Sequence, residues 1–329
     1  MSAQAGPGLP DFLIIGAPKA GTTALHAALA QHPQLYLSPV KEPKFFMCDG
    51  PPRAQQGPGD AHSVREWIWE RDRYEALFAS APAGALKGES TPFYLWDRNA
   101  HRRMSTLIPH VKLVAVLRDP VDRAYSNWTH LWCDGLEPEE RFMQACMAEP
   151  ERVAQGWAPI WRYLELGRYG EQLEDLFRWF PRTQVHILRY RDLVDEHDRS
   201  LDGICEFLGV DTGLVSEAPL ENVSTWVAPT PVNQALRAVV RAGAGVGRRF
   251  PPQVWRRASA PVLATLQRRP GNRPELSSQD RRDLAVRFAD DVRRLERLTG
   301  DSYEDWLASP GRGTYSVRRS WGPSGRAIS

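Results

Sequence analysis

An apolar run, Phe12-Leu13-Ile14-Ile15, passes without a break into Gly16-Ala17-Pro18-Lys19-Ala20-Gly21-Thr22-Thr23, and a helical pattern follows over Thr23–Gln31. A strand with no polar alternation must be covered on both faces, which is the environment of a parallel sheet packed between helices. The glycines permit a tight turn, and the start of the helix leaves bare backbone N–H groups pointing out of it. Such a loop either binds an anion or is an ordinary strand-to-helix connection. The ammonium of Lys19 and the hydroxyls of Thr22 and Thr23 add donors for the first reading. The spacing departs from the GxxxxGK[ST] of nucleoside-triphosphate loops, because Thr22 stands where the lysine would be and the lysine has moved to Lys19.

The pattern recurs along the chain. Apolar runs at Leu113–Leu117 and Val185–Leu188 are bounded by turn residues. Helical patterns occupy Pro120–Leu131, with proline in its first turn, and Tyr169–Phe180. Leu284, Phe288, Val292, Leu295 and Leu298 repeat at helical spacing near the C-terminus. Strands alternating with helices predict an α/β fold: a P-loop-like single domain with a central parallel β-sheet flanked by helices. Its expected limits are residues 11–308, after a flexible N-terminus at 1–10 and before a C-terminal tail at 309–329.

Charge and cysteine usage narrow the class. The 329 residues carry a formal charge of +2, which argues against a nucleic-acid partner. No stretch approaches the roughly 20 apolar residues of a membrane span, and residues 1–10 lack the charged and apolar regions of a signal peptide. Cys48, Cys133, Cys146 and Cys205 form no CxxC pair and read as free thiols, so the expected location is cytoplasmic. Residues 222–274 stand apart, with nine arginines and no Asp or Glu. They form a solvated basic surface, a lid over an anionic ligand, or a patch for peripheral membrane contact.

A second candidate anion site follows the second run, in Leu117-Arg118-Asp119-Pro120. Arg118 leaves the carboxyl end of a parallel strand, where open α/β sheets bind ligands. Ser126 lies about two helical turns further on, so a guanidinium fork and a hydroxyl can converge on one phosphate. The alternative for Arg118 is a salt bridge to Asp119 or Asp122. Two anion sites on neighbouring strands suggest a nucleotide with two separate anionic ends.

PKAGTT after the first strand, together with LRDPVDRAYSN after an apolar strand, resembles the sulfotransferases that use 3′-phosphoadenosine 5′-phosphosulfate (PAPS). The branch of the heparan sulfate N- and 3-O-sulfotransferases and their bacterial relatives fits best. Lys41-Glu42-Pro43-Lys44-Phe45-Phe46, Gly88-Glu89-Ser90-Thr91-Pro92-Phe93-Tyr94, Gly167-Arg168-Tyr169, Phe207-Leu208-Gly209 and Arg273-Pro274-Glu275-Leu276 extend the resemblance over roughly residues 12–306. It implies that Pro18, Lys19, Ala20, Gly21, Thr22 and Thr23 hold the 5′-phosphosulfate, with Lys19 on the bridging oxygen, and that Arg118 and Ser126 hold the 3′-phosphate. It implies Glu89 as the catalytic base, carried to the sheet edge by a strand at Ala85–Glu89. Lys41 either neutralises the sulfuryl oxygens or positions the acceptor, or else pairs with Glu42. Eukaryotic members carry a cysteine pair near a C-terminal nucleotide-contacting loop. This chain has no cysteine after Cys205, and 267–273, with Arg269 and Arg273, is the candidate counterpart.

The implied activity is transfer of a sulfuryl group from PAPS to a hydroxyl or amine of a glycan, glycolipid or small-molecule natural product, releasing PAP, with no obligatory metal. His130, about one turn after Ser126, is a second candidate base. Trp96, Trp128, Trp132, Trp157 and Trp161 are candidates for an aromatic acceptor platform. Two other readings stay open: an ATP–Mg²⁺ phosphotransferase with Asp119 as the metal-binding carboxylate, and a non-catalytic nucleotide-binding module.

Overall fold

The computed structural model describes residues 8–215, 230–246 and 275–308. Five parallel strands form one sheet: β1 (Phe12–Gly16), β2 (Leu35–Leu37), β3 (Leu86–Ser90), β4 (Lys112–Leu117) and β5 (Val185–Arg189), in the order β2-β3-β1-β4-β5. The run that opens the chain lies at its centre, and Phe12 through Ile15 have 0% exposure. β2 is the strand the sequence pattern does not announce, because three residues are too few to show a period.

The chain lays β2 and β3 on one side of β1 before it crosses to β4 and β5 on the other. The loops that follow β1 and β4 therefore leave the carboxyl edge side by side at the point where strand order reverses, the crevice in which such sheets bind ligands. The longer helices among the described residues are α1 (Thr22–Leu29), α2 (Arg98–Leu107), α3 (Pro120–Cys133), α4 (Tyr169–Leu176), α5 (His197–Leu208), α6 (Pro231–Val246) and α7 (Ser278–Thr299).

Local chemistry fixes the two helices nearest the crevice. Asp119 caps α3 by accepting from the backbone N–H of Val121 at 2.8 Å and of Asp122 at 3.1 Å, and Pro120 supplies the first turn. α7 packs its buried Leu284, Phe288, Val292 and Leu295 inward. Its Asp291 accepts from the N–H groups of Gly170 and Glu171, each at 2.9 Å, and so satisfies the start of α4. Gly170 is required there, since a Cβ would meet the Asp291 carbonyl oxygen at 2.4 Å.

The ends of the chain and the acid-free segment are described only in part. Leu9, within the stretch expected to be loose, is buried in the core. Residues 1–7 and 309–329 lie outside the described residues, as do 216–229 and 247–274 with Arg269 and Arg273. What is described of the acid-free segment is α6, and its Arg237 is not a solvated charge. Arg237 is 1% exposed, stacks on Trp132 and donates to the Glu137 carbonyl oxygen at 2.7 Å. No helix among the described residues is long and apolar enough to cross a membrane.

Candidate active site

The loop after β1 is built as a bare donor cradle. Gly21 precedes α1 in the left-handed region, φ 81°, and no side chain caps the helix, so its first N–H groups stay available. Thr22 and Thr23 open the helix, with Pro18 and Ala20 buried behind the loop. A Cβ at Gly21 would stand 2.9 Å from the Tyr190 ring. That same ring carries the Arg118 guanidinium at 4.8 Å. Arg118 in turn donates to the Lys19 carbonyl oxygen at 3.1 Å, so the two sequence motifs form one structure.

The alternative partners of Arg118 are occupied. Arg281, from α7, donates to Asp119 Oδ2 at 2.8 Å and also pairs with Asp122. Asp119 is thus committed to the α3 cap and to Arg281, which leaves it poorly placed for the metal-binding role of a phosphotransferase. Among the described residues no group of three or more His, Cys, Asp or Glu is arranged to hold a metal. Ser126 lies half-buried on the second turn of α3, downstream of Arg118.

A second loop, 41–44, faces the first. The non-glycine residues with positive φ among the described residues are Lys19 (68°), Glu42 (60°) and Lys44 (59°). Backbone strain of this kind, of order 1–3 kcal/mol per residue, persists where surrounding structure holds it and tends to gather at functional sites. The Glu42 N–H donates to the Ser90 carbonyl oxygen at 2.9 Å, which ties the loop to the end of β3. Lys41 Nζ donates to Glu42 Oε1 at 2.8 Å, and Lys44 Nζ lies 3.7 Å from Oε2. Lys41 is therefore paired with Glu42, one of the two roles open to it.

Electrostatics joins the two loops to the end of α3. Burial is the main cause holding the Lys19 ammonium below the usual lysine range; Asp134 and Glu42 oppose it, while Arg118 and Lys41 reinforce it. Burial pushes Glu42 up, but Lys41, Lys44 and Lys19 outweigh it and keep the carboxylate low and ionised. His130 Nε2 lies 3.6 Å from Asp134 Oδ2; burial, reinforced by Lys19, holds the imidazole below the usual histidine range, while Asp134 and Glu42 oppose it. Lys19, Lys41, Glu42, Arg118 and His130 thus share one crevice.

Glu89 does not reach it as a free base. It pairs in register with Leu13 of β1, inside the sheet, and has 0% exposure, whereas the Glu42 side chain is 30% exposed. Tyr74 donates to its Oε1 at 3.2 Å and Thr91 to its Oε2 at 2.9 Å. Burial pushes its carboxyl up to about 7. The sequence expectation is that the strand brings Glu89 out at the sheet edge; in the structure its carboxylate is enclosed instead, with Tyr74, Thr91 and Tyr94 as its hydrogen-bond partners. Thr91 also accepts from the Lys44 N–H at 3.3 Å, so Glu89 supports the 41–44 loop from below.

Other sequence candidates divide cleanly. Trp128, Trp132 and Trp161 are buried core residues, while Trp96 and Trp157 line an open cavity. Glu42 and Arg281 are the residues that sequence reasoning undervalued. Glu42 is legible in hindsight as a carboxylate between two lysines, whereas nothing local to α7 marks Arg281 as the partner of Asp119.

The family model described as "Sulfotransferase domain" matches residues 9–228. Human heparan sulfate glucosamine 3-O-sulfotransferase 3B1 is 29% identical over 202 residues, covering 61% of this chain and 46% of that protein. The human bifunctional heparan sulfate N-deacetylase/N-sulfotransferase 3 is 30% identical over 207 residues, covering 61% of this chain and 22% of that protein. This chain thus spans less than half the length of these relatives. The crystal structure of a sulfotransferase from Alicyclobacillus acidocaldarius superposes with a TM-score of 0.70 at 28% identity, covering 91% of this chain and 99% of that one. With the family model covering well over half of its residues, the chain belongs to the sulfotransferase-domain family.

Proposed function

We propose that this protein transfers the sulfuryl group of PAPS to a hydroxyl or amine of an acceptor, releases PAP, and does so without a metal ion. The observation that carries this reading is that Arg118 has no carboxylate partner among the described residues: Arg281 takes both neighbouring aspartates, and Arg118 turns to the Lys19 loop. The donor set fits PAPS. An uncapped helix start, two threonine hydroxyls and Lys19 suit the 5′-phosphosulfate; Arg118 and Ser126 suit a 3′-phosphate. The free cysteines are compatible with a reducing, cytoplasmic setting. The names of the curated relatives favour a carbohydrate acceptor.

PAPS supplies the sulfuryl group, and sulfuryl transfer, like phosphoryl transfer, rests chiefly on positioning and charge stabilisation. Lys19 and the backbone N–H groups beside it stabilise charge that grows on the leaving oxygen. Glu42, half-buried and ionised in the crevice, takes the acceptor proton in place of the enclosed Glu89, and Lys41 and Lys44 hold its carboxylate in position. Geometric reach ranks ahead of pKa in choosing a general base. The His130–Asp134 pair stands beside it as the second group able to hold a proton.

Arg118→Ala tests the nucleotide assignment. A charge-assisted phosphate contact is worth about 1.5–3 kcal/mol, or roughly 10- to 100-fold in affinity. Calorimetry should show PAP binding weakened by about tenfold or more beyond any loss for adenosine 5′-phosphosulfate, which lacks the 3′-phosphate. Equal losses for the two nucleotides would remove Arg118 from the 3′-phosphate.

A further inference from the structure

Glu42 and Lys44 both hold a φ near +60° despite carrying side chains, so the turn that presents Glu42 needs something to keep it there. Three backbone hydrogen bonds do this. The Glu42 N–H donates to the Ser90 carbonyl oxygen at 2.9 Å, the Lys44 N–H to Thr91 Oγ1 at 3.3 Å, and the Phe46 N–H to the Tyr94 hydroxyl oxygen at 3.3 Å. All three acceptors come from residues 90–94, the turn that leaves β3, and Ser90, Thr91 and Tyr94 have 0% exposure.

The Glu89 carboxylate aims two of these acceptors. A hydroxyl has one proton and two lone pairs. Thr91 donates its proton to Glu89 Oε2 at 2.9 Å, which leaves its oxygen turned to the loop. Tyr94 is likewise hydrogen-bonded to Glu89. The third hydroxyl on that carboxylate belongs to Tyr74, at 3.2 Å, and the Phe45 ring stacks on the Tyr74 ring at 4.1 Å and 6°. Lys44, Phe45 and Phe46 thus rest in succession on Thr91, Tyr74 and Tyr94, and all three converge on Glu89. The Lys44 ammonium is fixed as well, 5.6 Å from the Trp67 ring centroid and 5.5 Å from that of Phe93.

We propose that Thr91 and Tyr94, aimed by the buried Glu89, are positioning residues for sulfuryl transfer: they set the backbone turn that presents the Glu42 carboxylate to the acceptor. This rests on the sulfuryl-transfer reading above and deepens it. Both residues act through the loop from beneath, so their loss is felt in kcat rather than in nucleotide binding, which uses the Lys19 and Arg118 side of the crevice.

The test uses the intact chain with PAP bound and reads hydrogen exchange on peptides spanning 41–47. Thr91→Val and Tyr94→Phe keep the shape of each side chain and lose the oxygen. They should speed exchange of the Lys44 and Phe46 amides, respectively, by about 5- to 100-fold, the reach of one lost hydrogen bond, with the rest of the chain within about threefold. For sulfation of an N-sulfated heparosan hexasaccharide, kcat should fall by about 10- to 100-fold, as misplacement by about 1 Å allows, while KM and PAP affinity change less than about threefold. Thr91→Ser, which keeps the hydroxyl, should restore both slow exchange and kcat. Glu89→Gln should stay near wild type in both, because the Thr91 and Tyr94 oxygens remain able to accept from the loop. Unchanged exchange at 41–47 in both variants would overturn the proposal, and this readout needs no acceptor. Faster exchange without loss of kcat, or a Thr91→Ser chain as impaired as Thr91→Val, would overturn it too. Failure of the wild-type chain to bind PAP would instead overturn the sulfuryl-transfer reading, so the two failures are distinguishable.

Discussion

Glu42 and Glu89 lie close enough to feel one another's charge, yet their surroundings push them in opposite directions. Three lysines surround the first, and burial beneath tyrosines governs the second. Glu42→Gln should lower kcat by about 10²–10⁴, the usual cost of losing a general base, with PAP affinity nearly unchanged in calorimetry. Glu89→Gln should leave most of the turnover in place and change stability instead. A carboxyl that holds its proton more tightly when folded than when unfolded favours the folded state at low pH. That advantage is lost as pH rises from the ordinary glutamate value through about 7. The span corresponds to on the order of 3 kcal/mol. The wild-type melting temperature should therefore fall across this window, and Glu89→Gln should flatten the slope. Lys19→Ala should reduce kcat more than it weakens PAP binding, because the charge it stabilises grows in the transition state.

At the scale of elements, α3 is held in place by α7. Arg281 bridges Asp119 and Asp122 across the first turn of the helix that carries Ser126 and His130. Burial and the neighbouring Asp122 push Asp119 up, and Arg281 opposes them, so Arg281→Ala leaves two crowded carboxylates at a helix start. Loss of about 1–3 kcal/mol in urea unfolding is expected, with weaker PAP binding as Arg118 gains two free aspartates to pair with. Gly170→Ala should destabilise by a similar amount through its collision with the Asp291 carbonyl. β1, β4 and β5 were legible as unbroken apolar runs, and α3 as a proline-led helix. What escaped was set by contacts distant in sequence. The burial of Glu89 depends on Tyr74, fifteen residues away, and the freedom of Arg118 depends on Arg281. The composition of residues 222–274 left a solvated surface, a lid and a membrane patch open; of its arginines, Arg237 is buried by Trp132 and a backbone carbonyl.

Across the whole molecule, the fold brings two loops that are about a hundred residues apart in sequence to one crevice, at the point where strand order reverses about β1. A third loop, 41–44, is drawn to the end of β3 by the Glu42–Ser90 hydrogen bond. On the reading proposed above, this arrangement offers two separated groups of protein donors for anions, with the nearby Asp119 already committed to a helix cap and an arginine. The account therefore stands on which nucleotide the crevice prefers. Isothermal titration of the intact chain with PAP in EDTA, set against ATP with Mg²⁺, measures this directly. The account predicts tight 1:1 binding of PAP that is unchanged by EDTA and at least about 100-fold stronger than that of ATP–Mg²⁺, since one charge-assisted phosphate contact alone is worth 10- to 100-fold. Equal or stronger binding of ATP–Mg²⁺, or loss of PAP binding in EDTA, would contradict it.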